Sequence, residues 1–470
     1  MFRIFNQYVS VKGLLLAVIE SCLIAFSLLV ATQLRFWNNP VELALYQVWP
    51  DFAIQIGIVV FVCIGSFYCN DLYRLSARDN SLDHILRVEQ SLGAASLLLG
   101  LFYFLFPRLL LSRGVFLIGM LLITAITVVG RKALDKAWQL SAPVQRVAIL
   151  GDGPLAVELA RELKQRDDLN LRVEGFLTAA ATVAGAPEAN LFGTPVLGRV
   201  SEIESIVEHS GISRIVVALE DRRGVLPTRE LVSLRVRGLR IEDASTVHSA
   251  LTGRIALESV RPSWFVFSDG FHRTAWTDVV KRSLDLTFGT IGFLCSLPLM
   301  LLVALAVRLE SKGPVIYRQL RVGRMSRDFQ ILKFRSMRLD AEVSGRAQWA
   351  TKGDPRVTRI GGFLRKYRLD ELPQFINIMR GDMSFVGPRP ERPYFVEELR
   401  RELPYYDERH SVRPGLTGWA QVQYSYGASV EDAYRKLEYD LFYLKNMSPL
   451  FDIAIMMRTI RIVVSGFGGR

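Results

Sequence analysis

Cysteine and histidine are scarce in this chain. Four cysteines, Cys22, Cys63, Cys69 and Cys295, are spread over 470 residues. All lie in or beside apolar runs with no C-x-x-C pair, which excludes a zinc ribbon or a redox dithiol and leaves small buried hydrophobes. The histidines, His84, His209, His248, His272 and His410, are scattered and give no zinc-ligand spacing. A cleavable leader is also lacking, because the first apolar run, 14–34, is too long and no small-residue cleavage site follows it. Acidic residues are outnumbered, 46 against 58 basic ones, for a formal charge of +12. That excess calls for an anionic partner: nucleic acid, anionic lipid or a phosphate-bearing substrate.

Hydrophobicity is what the chain has in plenty. Half of its residues are apolar, and the length calls for two or three units. Four apolar runs open the chain, at 14–34, 48–69, 92–110 and 114–130, each near the length a helix needs to cross a bilayer. Pro107 and Arg108 end the third early. Arg3 and Lys12 precede the first run, Arg74, Arg78 and Arg87 separate the second from the third, and Arg131, Lys132 and Lys136 follow the fourth. The other two loops carry little positive charge, so both ends of this bundle are expected in the cytoplasm. Glu20 lies inside the first run, as a functional acid or a helix–helix contact.

From 146 to 240 strand and helix patterns alternate, the mark of an α/β unit with a parallel sheet. RVAIL runs into Gly151-Asp152-Gly153-Pro154-Leu155-Ala156, a match to G-x-G-x-x-A, the turn that lets a dinucleotide phosphate approach a helix N-terminus. Glu174 is the candidate acid after the second strand. The alanine-rich stretch 179–187 offers no polar support, so a degenerate Rossmann-like scaffold is favoured over a working NAD site. Residues 240–275 are mixed in pattern.

A fifth apolar run, 286–307, has no charge inside, and Pro298 sits near its middle. Lys281 and Arg282 flank it on one side, Arg308 and Lys312 on the other, so charge gives no preferred direction for a crossing. Parity adds that a fifth crossing would put 310–470 outside. A re-entrant helix keeps both soluble units together, with Pro298 as the break and Ser296 satisfying the freed carbonyl. Near the C-terminus, LFDIAIMMRTIRIVV either lies on anionic lipid or packs on the core, and GFGGR reads as a tail.

The chemistry gathers between Arg368 and Arg392. Leu372, Phe375, Ile376 and Met379 have helical spacing, Pro373 fits a first turn and Gly381 a C-terminal cap. Asp370 and Glu371 therefore fall at a helix start, where capping alone would explain them. The continuation shifts the balance, because Pro390 holds Arg389 in extended backbone, suited to bidentate phosphate recognition. Lys333-Phe334-Arg335, Asp354-Pro355-Arg356, Thr358-Arg359 and Arg413-Pro414-Gly415 add cations around few carboxylates, as a nucleotide diphosphate and a metal require.

On these pieces, 276–470 resembles the catalytic domain of the monotopic phosphoglycosyl transferases, the bacterial sugar transferases of the polyprenyl-phosphate hexose-1-phosphate class. The pieces are KRSLD (281–285), the run broken at Pro298, SKGPVIYRQLRVG (311–323), KFRSM (333–337), DELPQFINIMRGDMSFVGPRPE (370–391) and RPGLTGWAQV (413–422). RMSRDF lacks a glycine often seen at that turn. The resemblance extends to the long form and implies three parts: a membrane helical bundle (1–138), a Rossmann-like α/β domain (144–250) and an α+β catalytic domain (276–470) with its re-entrant helix at 286–307. It implies transfer of a sugar-1-phosphate from a UDP-sugar to polyprenyl (undecaprenyl) phosphate, releasing UMP. Asp370 would be the nucleophile, forming an aspartyl-phosphosugar. Glu371 would be the Mg²⁺ ligand, and Arg389, Lys333 and Arg335 would bind phosphate. It also implies a bacterial cytoplasmic membrane location with the soluble domains on the cytoplasmic side, with the middle domain a candidate for homodimer formation.

An NAD-dependent nucleotide-sugar dehydratase is the first alternative, but the Tyr-x-x-x-Lys pair such enzymes need occurs nowhere after residue 150. A non-catalytic assembly scaffold is the second, and it would not need the acid pair. Nucleic-acid binding is a poor account of the charge, because the basic residues surround a membrane-anchored catalytic pattern.

Overall fold

The computed structural model describes residues 2–465, apart from 5–6, 10, 49–50, 71, 74–80, 142–143, 167–168, 179–189, 192, 220–224, 260–267, 269, 272, 339–353, 425–426 and 428. Arg74, Arg78, His272, the alanine-rich stretch 179–187 and the GFGGR tail lie outside the described residues. The chain divides into two compact units, Met1–Leu251 and Thr252–Arg470.

The first unit opens with helices Val11–Arg35, Asp51–Cys69, Ser81–Leu105 and Arg113–Ser141, each containing a stretch long and apolar enough to cross a membrane. The third starts well before its apolar run and stops at Leu105, with Pro107–Leu109 in a separate 3-10 turn. Buried positions recur at helical spacing: Ile24, Leu28 and Ala31; Val59, Cys63 and Phe67; Val88, Leu92, Ala95 and Leu99. Leu97, Phe104, Leu117 and Leu121 point outward, as expected of a face meeting lipid tails. Glu20 proves to be a helix contact. Both its oxygens accept from Arg131 on the fourth helix, the Tyr73 hydroxyl donates to it at 2.8 Å, and Arg131 also donates to the Leu72 carbonyl at 2.9 Å. An acid inside an apolar segment is tolerated where it is paired in this way.

The same unit holds a six-stranded sheet. Across it the strands run Asn190–Leu191, Thr194–Arg199, Leu171–Thr178, Gln145–Leu150, Arg214–Val217 and Arg240–Asp243. All pairs are parallel except the short Asn190–Leu191 edge. The chain thus builds outward from Gln145–Leu150 in both directions, the doubly wound order of Rossmann-like domains. The stretch of mixed pattern after 240 begins with the last strand and a helix, Ala244–Thr252, and its residues 260–267 lie outside the described residues.

The second unit is built on one 36-residue helix, Ala275–Glu310, capped at its start by Thr274. Pro298 lies inside it without ending it. The helix is therefore continuous where a break was expected. Proline removes only its own bond to the carbonyl of Leu294, and the bonds on either side carry the helix on. The Ser296 hydroxyl donates to Phe293 O at 3.2 Å, not to the Leu294 carbonyl that Pro298 leaves free.

One face of this helix is covered along nearly its whole length. Lys281, Asp285 and Gly289 are buried in the first half, and Met300, Val303 and Val307 in the second, where they pack with Phe334 and Leu364. Leu294, Leu301, Leu302, Leu305 and Leu309 are exposed on the other face. An antiparallel pair, Ile316–Val322 with Asp328–Phe334, and a parallel pair, Ser384–Val386 with Gly415–Thr417, pack nearby. The last helix, Pro449–Ser465, packs on the core through Phe451 and Ile455, with Phe451 against the Trp419 ring.

Candidate active site

Asp370 and Glu371 sit on a single 3-10 turn, Leu369–Glu371, introduced by Arg368 in the left-handed region at φ 56°. Helix Gln374–Arg380 follows, and Gly381 at φ 93° closes it. The left-handed glycine lets its N–H reach back to the carbonyls of Asn377 and Ile378. The acids thus precede the helix on their own turn, one step earlier than simple capping would put them.

Lys333 comes from the strand Asp328–Phe334, and Asn377 fixes that strand to the helix. The Asn377 side chain accepts from Leu332 N at 3.0 Å and donates to Gln330 O at 2.8 Å, with no exposure to solvent. Lys333 Nζ then donates to Glu371 Oε1 at 2.9 Å. Arg389 Nη2 donates to the same oxygen at 2.7 Å. Both faces of the Arg389 segment are held: Arg409 donates to the Arg389 carbonyl at 2.9 Å and Arg321 to the Pro390 carbonyl at 3.0 Å. Arg409 is itself buried against Asp440 at 2.8 Å.

These contacts separate the two acids electrically. Burial alone would raise the Glu371 carboxyl, but the charges of Arg389 and Lys333 outweigh it and hold Glu371 well below the usual carboxylate range. Asp370 goes the other way. Burial raises it, Lys333 opposes that, and the neighbouring Glu371 charge raises it further. Burial likewise lowers Lys333, against the pull of Glu371. Among the described residues the Asp370 side chain makes no hydrogen bond or ion pair. The site therefore holds one anchored carboxylate and one desolvated, unengaged carboxylate side by side.

Not every cation noted in the sequence joins them. Arg335 turns away, and its guanidinium donates to the carbonyls of Ser311 (2.7 Å) and Lys312 (3.2 Å) and to the Ser311 hydroxyl, beyond the C-terminal end of the long helix. Arg356 folds onto Asp354 at 2.5 Å, which holds that carboxyl down at about 2, and Thr358 caps helix Arg359–Lys366. In the first unit, Gly151 has φ +121° and a Cβ there would lie 2.6 Å from the Ala218 carbonyl oxygen, so the turn does require glycine. Gly153 is the N-cap of helix Pro154–Gln165. Glu174, however, lies mid-strand beside Arg146 and Arg172 rather than at the carboxyl end where a ribose would sit.

Asp370 and Glu371 are adjacent buried oxygen donors, and Glu371 is held anionic, which fits Mg²⁺: that ion takes one or two carboxylates and fills its shell with phosphate oxygens and water. Among the described residues no group of three or more acids, cysteines or histidines forms a closed metal cage.

Residues 276–466 match the family described as bacterial sugar transferase, and 69–224 match a CoA-binding domain. The chain is 31% identical over 417 residues, 86% of each protein, to a UDP-glucose:undecaprenyl-phosphate glucose-1-phosphate transferase of Klebsiella pneumoniae. It is 50% identical to a UDP-N-acetylgalactosamine-undecaprenyl-phosphate N-acetylgalactosaminephosphotransferase of Aeromonas hydrophila over 191 residues, 41% of this chain and 45% of that one. It is 33% identical to an undecaprenyl-phosphate glucose phosphotransferase of Komagataeibacter xylinus, over 67% of this chain and 58% of that protein. The chain thus spans less than two thirds of these last two relatives.

Proposed function

The chain belongs to the bacterial sugar transferase family, and from that premise we propose that it moves a sugar-1-phosphate from a UDP-sugar to undecaprenyl phosphate, releasing UMP. The observation that carries this is the split acid pair: Glu371 bracketed at one oxygen by Lys333 and Arg389, beside a buried Asp370 whose side chain has no hydrogen-bond partner among the described residues.

An Asp370 oxygen attacks the β-phosphorus of the UDP-sugar. The new bond is Asp370 O–P, and the bond that breaks joins that phosphorus to the oxygen bridging to the α-phosphate, which leaves on UMP. An oxygen of undecaprenyl phosphate then attacks the same phosphorus, the Asp370 O–P bond breaks, and the carboxylate is restored. No proton needs to move in either step, and one difficult displacement becomes two. A carboxylate stripped of water is the more reactive nucleophile. Arg389 and Lys333 hold the diphosphate oxygens and offset the charge gathering there. A magnesium ion would be held by Glu371 and would supply further charge neutralisation on the diphosphate.

We place this site at the cytoplasmic face of the bacterial inner membrane, with helix 275–310 entering and leaving on one side. The burial pattern supports that. The longest stretch of the apolar run without a buried position is 290–299, roughly 15 Å of helix, against about 30 Å of hydrocarbon to cross. The missing bond at Pro298 falls within this stretch and lets the helix bend there.

The test uses the full chain in nanodiscs with undecaprenyl phosphate, Mg²⁺ and a panel of UDP-sugars, reading UMP. We expect UMP from at least one sugar, none from Asp370→Asn, and label from a ³²P-β-phosphate donor retained on protein when acceptor is withheld. No UMP from any donor would sink the transferase reading. Full activity in Asp370→Asn would remove only the nucleophile.

A further inference from the structure

The start of the long helix carries three polar residues, each of which contacts a segment framing the active site. Arg282 donates from Nη1 to Ile378 O at 2.7 Å and from Nη2 to Met379 O at 2.8 Å. These are end carbonyls of helix Gln374–Arg380, whose other end follows the acid pair. Asp285 Oδ1 accepts from the Ser384 hydroxyl at 2.9 Å and from Phe385 N at 2.8 Å, holding the strand that leads to Arg389. Lys281 reaches furthest along that strand. Its Nζ donates to Val386 O at 2.9 Å, the last strand residue before Gly387-Pro388-Arg389. The ammonium is completed by Asp452 Oδ2 at 2.6 Å and the Tyr443 hydroxyl at 3.0 Å, and Tyr443 in turn donates to Asp452 Oδ1 at 2.8 Å.

A buried, fully partnered lysine is costly to desolvate and tolerates little displacement of its partners. Arg282 and Asp285 fix the near end of the frame, and Lys281 fixes the end from which Arg389 projects. We propose that Lys281, backed by Asp452 and Tyr443, is a positioning residue that sets Arg389 against Glu371 and so ties the geometry of the phosphate site to the membrane helix. This rests on the transferase reading for its consequence in rate, but not for its consequence in structure.

Lys281→Met alone would strand the Asp452 charge, so the variant of choice is Lys281→Met/Asp452→Asn, which leaves no unpaired ion. Two measurements follow on the full chain. Hydrogen–deuterium exchange should rise in 384–390 while helix 374–380 keeps its protection. Unchanged exchange in 384–390 would overturn the proposal whether or not the protein is a transferase. In the UMP assay kcat/KM should fall about 100-fold, the cost of misplacing a group by about 1 Å. In an Arg389→Ala background the same pair of substitutions should cost less than about threefold, because coupled residues do not add. An equal loss in both backgrounds would mean that Lys281 acts on folding and not through Arg389. Failure of the transferase reading would show separately, as absence of UMP from the unsubstituted protein.

Discussion

Gly387 lies between the strand that delivers Arg389 and the loop that begins at Arg413. A Cβ placed on it would sit 2.4 Å from the Arg413 carbonyl oxygen, 2.9 Å from Gly415 N and 3.1 Å from the Pro414 carbonyl carbon. Ordinary contact begins at 3.4 Å, so Gly387→Ala forces these backbones apart by about 3.4 − 2.4 = 1.0 Å. No flexible side chain is available to yield. The ladder bonds Gly387 N to Thr417 O and Gly415 N to Pro388 O, both 2.9 Å, cross the same gap. Arg389 is two residues on, and its 2.7 Å bond to Glu371 has no slack for such a shift. A misplacement of this size costs about 100-fold in kcat/KM, or about 2.7 kcal/mol of transition-state stabilisation. The matched control is Gly362→Ala in helix Arg359–Lys366, where nothing lies within 4 Å of the added methyl. There alanine should leave UMP release unchanged and stabilise by about 0.5–1 kcal/mol. Steady-state kinetics and thermal unfolding on the two variants decide the matter. Gly387→Ala with unaltered kcat/KM would refute the claim that the two loops fix Arg389 through their backbones.

Burial places the Asp370 pKa above the ordinary aspartate value, and the nucleophile must be ionised, so kcat/KM should be full at higher pH and fall as pH drops through that raised value. Lys333→Met removes a charge that favours the Asp370 carboxylate, so this acid limb should move to higher pH, and a pH–rate profile with the limb unmoved would contradict the assignment. Arg335→Met should lower stability by about 1–3 kcal/mol through the carbonyls it leaves unsatisfied, seen as an earlier thermal transition, while KM for the UDP-sugar stays unchanged. Chelation by EDTA should abolish UMP release, and added Mg²⁺ should restore it, whereas Ca²⁺, which prefers more oxygen ligands, should restore less.

The acids and Arg389 were legible because their signals are local: helical spacing after Asp370, a closing glycine, and prolines around an arginine. Arg335 was misread for a reason equally local. Alternation in a strand puts residues 333 and 335 on one face, but the strand ends at Phe334 and the Arg335 guanidinium is drawn to the carbonyls of Ser311 and Lys312. Asn377 and Lys281 fall inside the motifs that carry the resemblance, but nothing local in the sequence pointed to their contacts. Asn377 meets Leu332 from 45 residues away and Lys281 meets Val386 from 105, distances that only the folded chain closes. Pro298 announced a break, yet the structure keeps the helix whole, since a missing bond permits a bend without imposing an end. Glu174 was expected after the second strand but lies in its middle.

Lys333 and Arg389 share one oxygen of Glu371, and with Asp370 the four side chains sum to zero charge when all are ionised. Despite a chain charge of +12, these two cations already carry an anion of the chain's own. An arriving anion must displace a carboxylate already seated on both cations, so affinity is a difference between two occupants and not the gross strength of either. A small anion such as chloride or inorganic phosphate brings little to that exchange, whereas a diphosphate carrying a nucleoside brings contacts from beyond the pocket. Selectivity against the abundant free phosphate of the cell then follows from an internal competitor, and inorganic phosphate should inhibit far more weakly than UDP in the same assay.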